Sequence, residues 1–231
     1  MATLSKLNLL MNNKLRIISS NDGSHTIYRE DIDEHYHSIH GSIQESIHVF
    51  IDAGLKTFIQ NNNKKKVNIL EIGFGTGLNA LLTNQEIIQL KKEVNYHTLE
   101  PIPIDYSLIK NINFKKINSK VFSQIHNLQW NCNHTINNYF NFYKEKIRLQ
   151  DFNSKIKYDI IYYDAFGPNS QNEMWKIDIF EKLYSLLNSK GVLVTYCAKG
   201  QVRRDLKRVG FEMERLPGPI GKREMLRGNK I

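Results

Sequence analysis

The sequence predicts an α/β fold built on a mostly parallel sheet, on three observations. From residue 67 onward, strand-like apolar runs alternate with helical patterns, the sign of parallel strands joined by crossover helices. The run ILEIGFGTGLNALL (69–82) reads as a buried strand, a tight glycine turn and a helix. The run YDIIYYDAFGP (158–168) reads as another buried strand, ended by a carboxylate, an aromatic ring and a Gly-Pro turn. A charge at a strand end is costly unless it is paired or used. Asp164 and the turn behind it are therefore the first candidates for chemistry.

Taken in order, residues 15–30 place Asp22-Gly23 between two strand-like runs, a hairpin signal. Ser42-x-x-Glu45 then forms a capping-box pattern ahead of Ile43, Ile47, Ile51, Leu55 and Phe58 at helical spacing. Residues 1–60 are read as a small hairpin-helix extension and 61–231 as the main domain. Within the latter, strands are expected at 67–72, 95–99, about 144–149, 158–163 and 191–197. Helices are expected near 77–92, 103–111, 173–188 and 201–209. The stretch FEMERLPG, a PGPIG turn and KREMLRGNK read as a closing β-hairpin.

Bulk properties narrow the function. The 231 residues, 41% hydrophobic and 10% aromatic, can bury a sizeable core. A net charge of +9 favours a polyanionic partner such as nucleic acid. Cys132 and Cys197 alone cannot form a disulfide framework or a cysteine zinc site. The N-terminal MATLSKLNLLMNNK has neither an apolar core nor a cleavage site, so no signal peptide is read. No window reaches the roughly 18 apolar residues of a membrane span. A cytoplasmic setting is the expectation.

The glycine turn is informative in its spelling. Gly73-x-Gly75-x-Gly77 departs from the dinucleotide fingerprint, because Leu78 stands where a third glycine would, and no Lys-Ser/Thr follows for a phosphate loop. The E-x-G-x-G-x-G run from Glu71 resembles instead the first motif of class I S-adenosylmethionine-dependent methyltransferases. These are Rossmann-like folds with a mostly parallel seven-stranded sheet and a closing antiparallel hairpin. The resemblance implies that Glu71, Gly73, Gly75 and Gly77 face the methionine part of that cofactor. The next strand ends in Glu100, 23 residues after Gly77, where an acid accepts hydrogen bonds from ribose hydroxyls. A structural βα turn with an incidental glutamate is the alternative.

The strand 158–163 is expected beside the first strand, across the switch point where open α/β sheets bind ligands. Asp164 then projects toward the cofactor's methyl group, where a carboxylate accepts N–H bonds from an attacking amine and orients its lone pair. Phe166 offers a face for a flipped base and Pro168 stiffens the turn. The alternative is that Asp164 merely caps the loop.

DGSHT, EHYHS, GSIQESIHVF, EIGFGTGLNALL, TLEPIP, YDAFGP, MW and PGPIGKREMLR, in that order, resemble the tRNA wobble-uridine aminomethyl methyltransferases. These are the methyltransferase part of the MnmC enzymes, which also occurs alone. The resemblance implies methyl transfer to 5-aminomethyl-(2-thio)uridine in the tRNA anticodon region. The flavin-dependent oxidase of the bifunctional enzymes is not expected, since the chain ends at Ile231. Where the family often has Asp-Gly-Phe-Ala-Pro, this chain has Asp-Ala-Phe-Gly-Pro and keeps the acid, the ring and the proline.

Further residues carry weaker signals. His35, His37, His40 and His48 match no zinc spacing, and no metal is expected; the resemblance gives His37 and Ser38 an ordinary place in the pocket roof. Asp151 stands where such folds use an acid on the adenine amino group. The local sequence Leu149-Gln150-Asp151-Phe152 departs from the family's Gly-Asp-Ala, however, and both readings stay open. Lys199, Arg203 and Arg204 follow the fifth strand, and Lys222 and Arg223 follow the PGPIG turn. They are read as a phosphate-gripping rim, with scattered surface charge as the alternative. Two other functions compete. Aminopropyl transfer of the spermidine-synthase type shares the fold but needs an acidic pocket, and a non-catalytic tRNA-binding module would have no use for Asp164.

Overall fold

The computed structural model describes residues 14–114, 117 and 119–231. The N-terminal stretch in which no signal peptide is read lies, over residues 1–13, outside them. The described chain opens on a three-stranded antiparallel sheet of β1 (Leu15–Ser19), β2 (His25–Arg29) and β3 (Glu34–His35). The hairpin forms, but through a longer loop than two residues. Asp22 accepts from Ser24 N at 2.9 Å, and Ser20 N donates to Ser24 O at 2.8 Å.

One continuous helical rod follows. It begins α-helical over Ser42–Ser46, widens to a π-helix over Ile47–Lys56 and returns to α over Thr57–Asn61. The expected capping box does not form: Gly41 is the N-cap, and Glu45 turns its carboxylate away from the helix end. The rod lies close against the main sheet at Gly54, where a Cβ would come within 3.1 Å of Val194 and 3.2 Å of Tyr162.

The main sheet has eight strands in the order β10-β11-β9-β8-β4-β5-β7-β6. The parallel centre comprises β4 (Lys66–Ile72), β5 (Glu93–Leu99), β7 (Phe140–Glu145), β8 (Tyr158–Tyr163) and β9 (Leu187–Thr195). The closing hairpin is β10 (Glu212–Pro217) and β11 (Glu224–Asn229), with β11 antiparallel to β9. The eighth strand, β6 (Asn133–Asn137), pairs antiparallel with β7 and has no counterpart in the expected seven. Its sequence NHTIN offers a single large apolar residue, so no period was legible.

The strand expected near 144–149 lies earlier, at β7, for a definite reason. Phe140, Phe142 and Lys144 alternate onto a buried face, and a lysine reads as exposed. Here Lys144 Nζ donates to the carbonyls of Ile125 and His126 at 2.8 and 2.9 Å. These close the C-terminal end of the Ser119–Asn127 helix, itself unexpected from sequence. The helix expected near 103–111 is one turn, Tyr106–Ile109, and that near 173–188 divides into a 3₁₀ turn Asn172–Trp175 and an α-helix Ile177–Leu186.

Side chains pack on both faces of the sheet. Ile69, Phe50, Leu55 and Tyr162 belong to one core, and Leu70, Ile72, Tyr163 and Phe180 to the other. The chain reverses its winding between β4 and β8, and there the strand ends are tied together. Asp164 N donates to Ile72 O at 3.1 Å and Gly73 N to Leu99 O at 3.0 Å. Among the described residues, no helix is long and apolar enough to cross a membrane.

Candidate active site

A cavity of about 340 Å³ opens at the carboxyl ends of β4, β5 and β8, where open α/β sheets bind ligands. Its floor is backbone. Gly73 and Gly75 have φ of 93° and 49°, a region that costs a side-chain-bearing residue strain. A Cβ on Gly73 would lie 2.8 Å from Asp164 O, and one on Gly75 would lie 2.9 Å from the Tyr36 ring. Gly77, with φ of 73°, starts the Leu78–Leu90 helix behind this turn. Glu100 stands at the end of β5, its two oxygens accepting from Gly75 N at 3.1 Å and Ile102 N at 3.0 Å. A carboxylate retains further lone pairs beyond two such bonds. A glycine-walled cradle with a carboxylate at its rim fits an adenosyl group with its ribose diol, as S-adenosylmethionine carries.

Asp164 lines the cavity. Asn79 Nδ2 donates to its Oδ2 at 2.8 Å. Burial, with Glu45 adding to it, lifts the Asp164 carboxyl to about 7, while Asn79 and Lys222 pull the other way. The turn after it is braced by its own carbonyls: Tyr196 OH donates to Ala165 O at 2.9 Å, and Trp175 Nε1 to Phe166 O at 2.7 Å. Phe166 lines the cavity, with Tyr36 edge-on at 4.9 Å and the Arg29 guanidinium 5.4 Å from its ring centre.

The roof comes from the segment that follows β3. His37 Nε2 lies 2.5 Å from Thr76 Oγ1, and burial holds the imidazole down to about 4, so it is neutral near pH 7. Ser38 lines the cavity and gives its backbone N–H to Glu45 Oε2 at 2.8 Å. A second, more open cavity of about 680 Å³ adjoins the first, sharing Glu34, Tyr196 and Lys222 with it. Pro168, Lys199, Arg215 and Arg223 line it.

Five expected site residues line neither cavity, Gly77 among them because it already begins the helix behind the turn. Glu71 is fully buried behind the cavity wall, because the alternation of β4 points it to the face opposite Leu70 and Ile72. Burial lifts its carboxyl to about 8; Asn79, Tyr96 and Thr98 surround it without completing a hydrogen bond. Asp151 is exposed. Its N–H closes a turn on Arg148 O and buried Phe152 anchors that turn, so Arg148, Leu149 and Gln150 line the cavity instead. Arg203 and Arg204 line neither cavity, since their helix buries Val202 and Leu206 and turns the arginines outward. Lys222 is at the mouth, but its ammonium is held by Glu45 Oε1 at 2.6 Å.

Sequence reasoning passed over Tyr36, Glu45, Asn79 and Tyr196. The first two lay inside the EHYHS and GSIQESIHVF blocks, yet nothing local marks them as converging on residue 164. Among the described residues, no group of three His, Cys, Asp or Glu side chains is placed to hold a metal ion.

Known proteins are similar to this chain in sequence and in fold. The chain is 32% identical over 218 residues to the tRNA 5-methylaminomethyl-2-thiouridine biosynthesis bifunctional protein MnmC of Leptospira interrogans, covering 87% of this chain and 33% of that one. It is 29% identical over 226 residues to the protein of the same name from Pseudoalteromonas translucida, covering 86% and 34%. The chain thus spans about a third of the length of these curated relatives. In structure it is similar to MNMC2 from Aquifex aeolicus, with a TM-score of 0.79 at 20% identity over 98% of this chain and 75% of that one. It is also similar to spermidine synthase from Thermotoga maritima, with a TM-score of 0.56 at 14% identity over 94% and 68%. These structural likenesses bear on the fold. The sequence pattern of one family matches residues 111–231, and by it the chain belongs to the S-adenosyl-L-methionine-dependent methyltransferases.

Proposed function

We propose that this chain methylates the primary amine of 5-aminomethyl-(2-thio)uridine at the tRNA wobble position, giving the 5-methylaminomethyl nucleoside. The observation that carries the reading is the position of Asp164. It stands between a glycine cradle suited to the cofactor and an aromatic wall suited to a base, with a cavity next door that four basic residues line against two glutamates, Glu34 and Glu224. The names of the bifunctional relatives point to the same nucleoside. Glu100 and the Gly73–Gly77 turn would hold the cofactor, which supplies an electrophilic methyl on a positively charged sulfur.

An alkylamine resembles lysine in basicity, with a pKa of about 10, so near pH 7 roughly one molecule in a thousand is neutral. Asp164 receives the proton from the ammonium and frees the nitrogen lone pair. The freed pair would accept the methyl group that the bound cofactor supplies, the C–S bonding electrons passing to its sulfur. A carboxyl held near 7 is matched to this task, since it is ionised often enough to accept and basic enough to keep the proton for the interval of attack. Phe166 and Tyr36 would stack or wall the extruded uracil. Lys199, Arg215 and Arg223 would meet backbone phosphates.

Aminopropyl transfer shares the fold, and the acids of the main cavity would suit its cationic substrate too. The basic residues of the adjoining cavity favour a polyanion instead. The test is to incubate the purified chain and S-adenosylmethionine with tRNA carrying aminomethyluridine, then identify nucleosides by mass spectrometry. The methylaminomethyl nucleoside is expected; its absence, or aminopropyl transfer to putrescine in the parallel assay, overturns the reading.

A further inference from the structure

Glu45 occupies a place its sequence does not explain. As the fourth residue of a capping-box pattern it should have turned back on the helix end. Its carboxylate instead reaches into the main cavity, accepting from Ser38 N at 2.8 Å and from Lys222 Nζ at 2.6 Å. The two charged partners come from opposite ends of the chain, one on the first helix and the other on the turn of the closing hairpin. The Lys222 ammonium also lies 3.9 Å from the centre of the Tyr196 ring. Glu45 is buried, and it acts electrostatically on Asp164 in the same cavity.

A carboxylate on one side and an aromatic face on the other are what a small alkylammonium receptor requires. The tip of lysine, a methylene bearing an ammonium, has the same chemistry as a protonated aminomethyl group. Lys222 also lines both cavities, so its side chain stands at the passage between them.

We propose that Glu45 and Tyr196 form the binding subsite for the substrate's protonated aminomethyl group, and that Lys222 fills this subsite until substrate displaces it. The proposal rests on the aminomethyl-uridine reading above and adds to it a residue that selects the charged substituent. Exchange of one ammonium for another leaves the buried carboxylate paired at each stage. An uncharged substituent that displaced Lys222 would strand that carboxylate, and one that did not would have to bind beside it. The displaced Lys222 has a ready destination in the adjoining cavity, where an RNA phosphate beside Arg215 and Arg223 would receive it. The substrate's ammonium would then lie near Asp164, which takes its proton before attack.

The experiment compares anticodon stem-loop RNAs carrying aminomethyluridine or plain uridine at the wobble position, each bound to the full chain with S-adenosylhomocysteine present. Wild type is expected to prefer the amine-bearing loop by roughly tenfold or more, the scale of a charged hydrogen bond. Glu45→Gln should bring that preference within about twofold. A Glu45→Gln chain that keeps the full preference overturns the assignment. Lys222→Met supplies an arm that does not depend on that variant folding. Relieved of its internal competitor, it should bind the free nucleoside 5-aminomethyluridine about threefold to tenfold more tightly than wild type. Unchanged or weaker nucleoside binding overturns the proposal. If wild type neither prefers nor methylates the aminomethyl loop, the substrate reading itself has failed. If wild type does both and Glu45→Gln matches it, only the role of Glu45 has failed.

Discussion

The floor and the roof of the cavity are built on different plans. The floor consists of Gly73, Gly75, Glu100 and Asp164, all at carboxyl ends of neighbouring parallel strands and joined through backbone bonds such as Asp164 N to Ile72 O at 3.1 Å. The roof and side wall consist of side chains from the two ends of the chain: Tyr36, His37 and Glu45 on one hand, Lys222 on the other. A floor fixed by a glycine turn and by strand ends offers little to vary and suits a cofactor of one shape. A roof made of side chains can be matched to a substrate. The difference teaches that changes in the floor should strike cofactor binding or chemistry, and changes in the roof should strike substrate selection.

The largest break is expected in the floor, at Asp164. Asp164→Asn is nearly isosteric and should leave cofactor binding within a few-fold, while methyl transfer falls by ~10²–10⁴, the span of a lost base or electrostatic group. Single-turnover assays check it, and a near wild-type rate would reduce Asp164 to a turn cap. Glu100→Ala tests the floor alone. It should weaken S-adenosylmethionine binding by ~1–3 kcal/mol in calorimetry, and an unchanged affinity in a folded variant would remove Glu100 from the site. Tyr36→Ala tests the roof. Loss of its edge-on contact with Phe166, at 4.9 Å, should raise KM for RNA by the equivalent of ~0.5–1.5 kcal/mol with kcat nearly kept.

The smallest effect concerns stability. Burial raises Glu71 to about 8 and Asp164 to about 7, so each favours the fold while protonated and loses that contribution as pH rises through those values. His37, His97 and His126, all lowered to about 4 by burial, act in the opposite sense, but only below their ordinary 6.5. Between pH 6.5 and about 8 the two acids therefore act without that opposition. Melting of the cofactor-free chain should fall across that window, by roughly 2–4 °C per kcal/mol lost. Glu71→Gln should flatten the fall, whereas a steeper profile in that variant would contradict the sign.

The parts of the molecule legible in sequence are those whose cause lies within a few residues. The glycine turn at 73–77, the strand ending at Asp164, the acid at Glu100 and the closing hairpin each announce themselves by periodicity or by residues that only certain turns accept. Where a side chain takes its meaning from a distant partner, the local pattern misleads. Lys144 reads as surface because the helix carbonyls that satisfy it lie 18 and 19 residues away. Glu45 reads as a helix cap because Lys222 is 177 residues away. Asp151, Arg203 and Arg204 have the right type and the right order but the wrong direction, which the packing of Phe152, Val202 and Leu206 decides.

By itself, then, the sequence determined the parallel sheet, its switch point and which residues stand at the strand ends, because backbone conformation and hydrophobic period are local properties. Only the tertiary structure decided which charged groups face the cavity and which face water, because a buried charge is tolerated where a partner meets it, and that partner can come from anywhere along the chain.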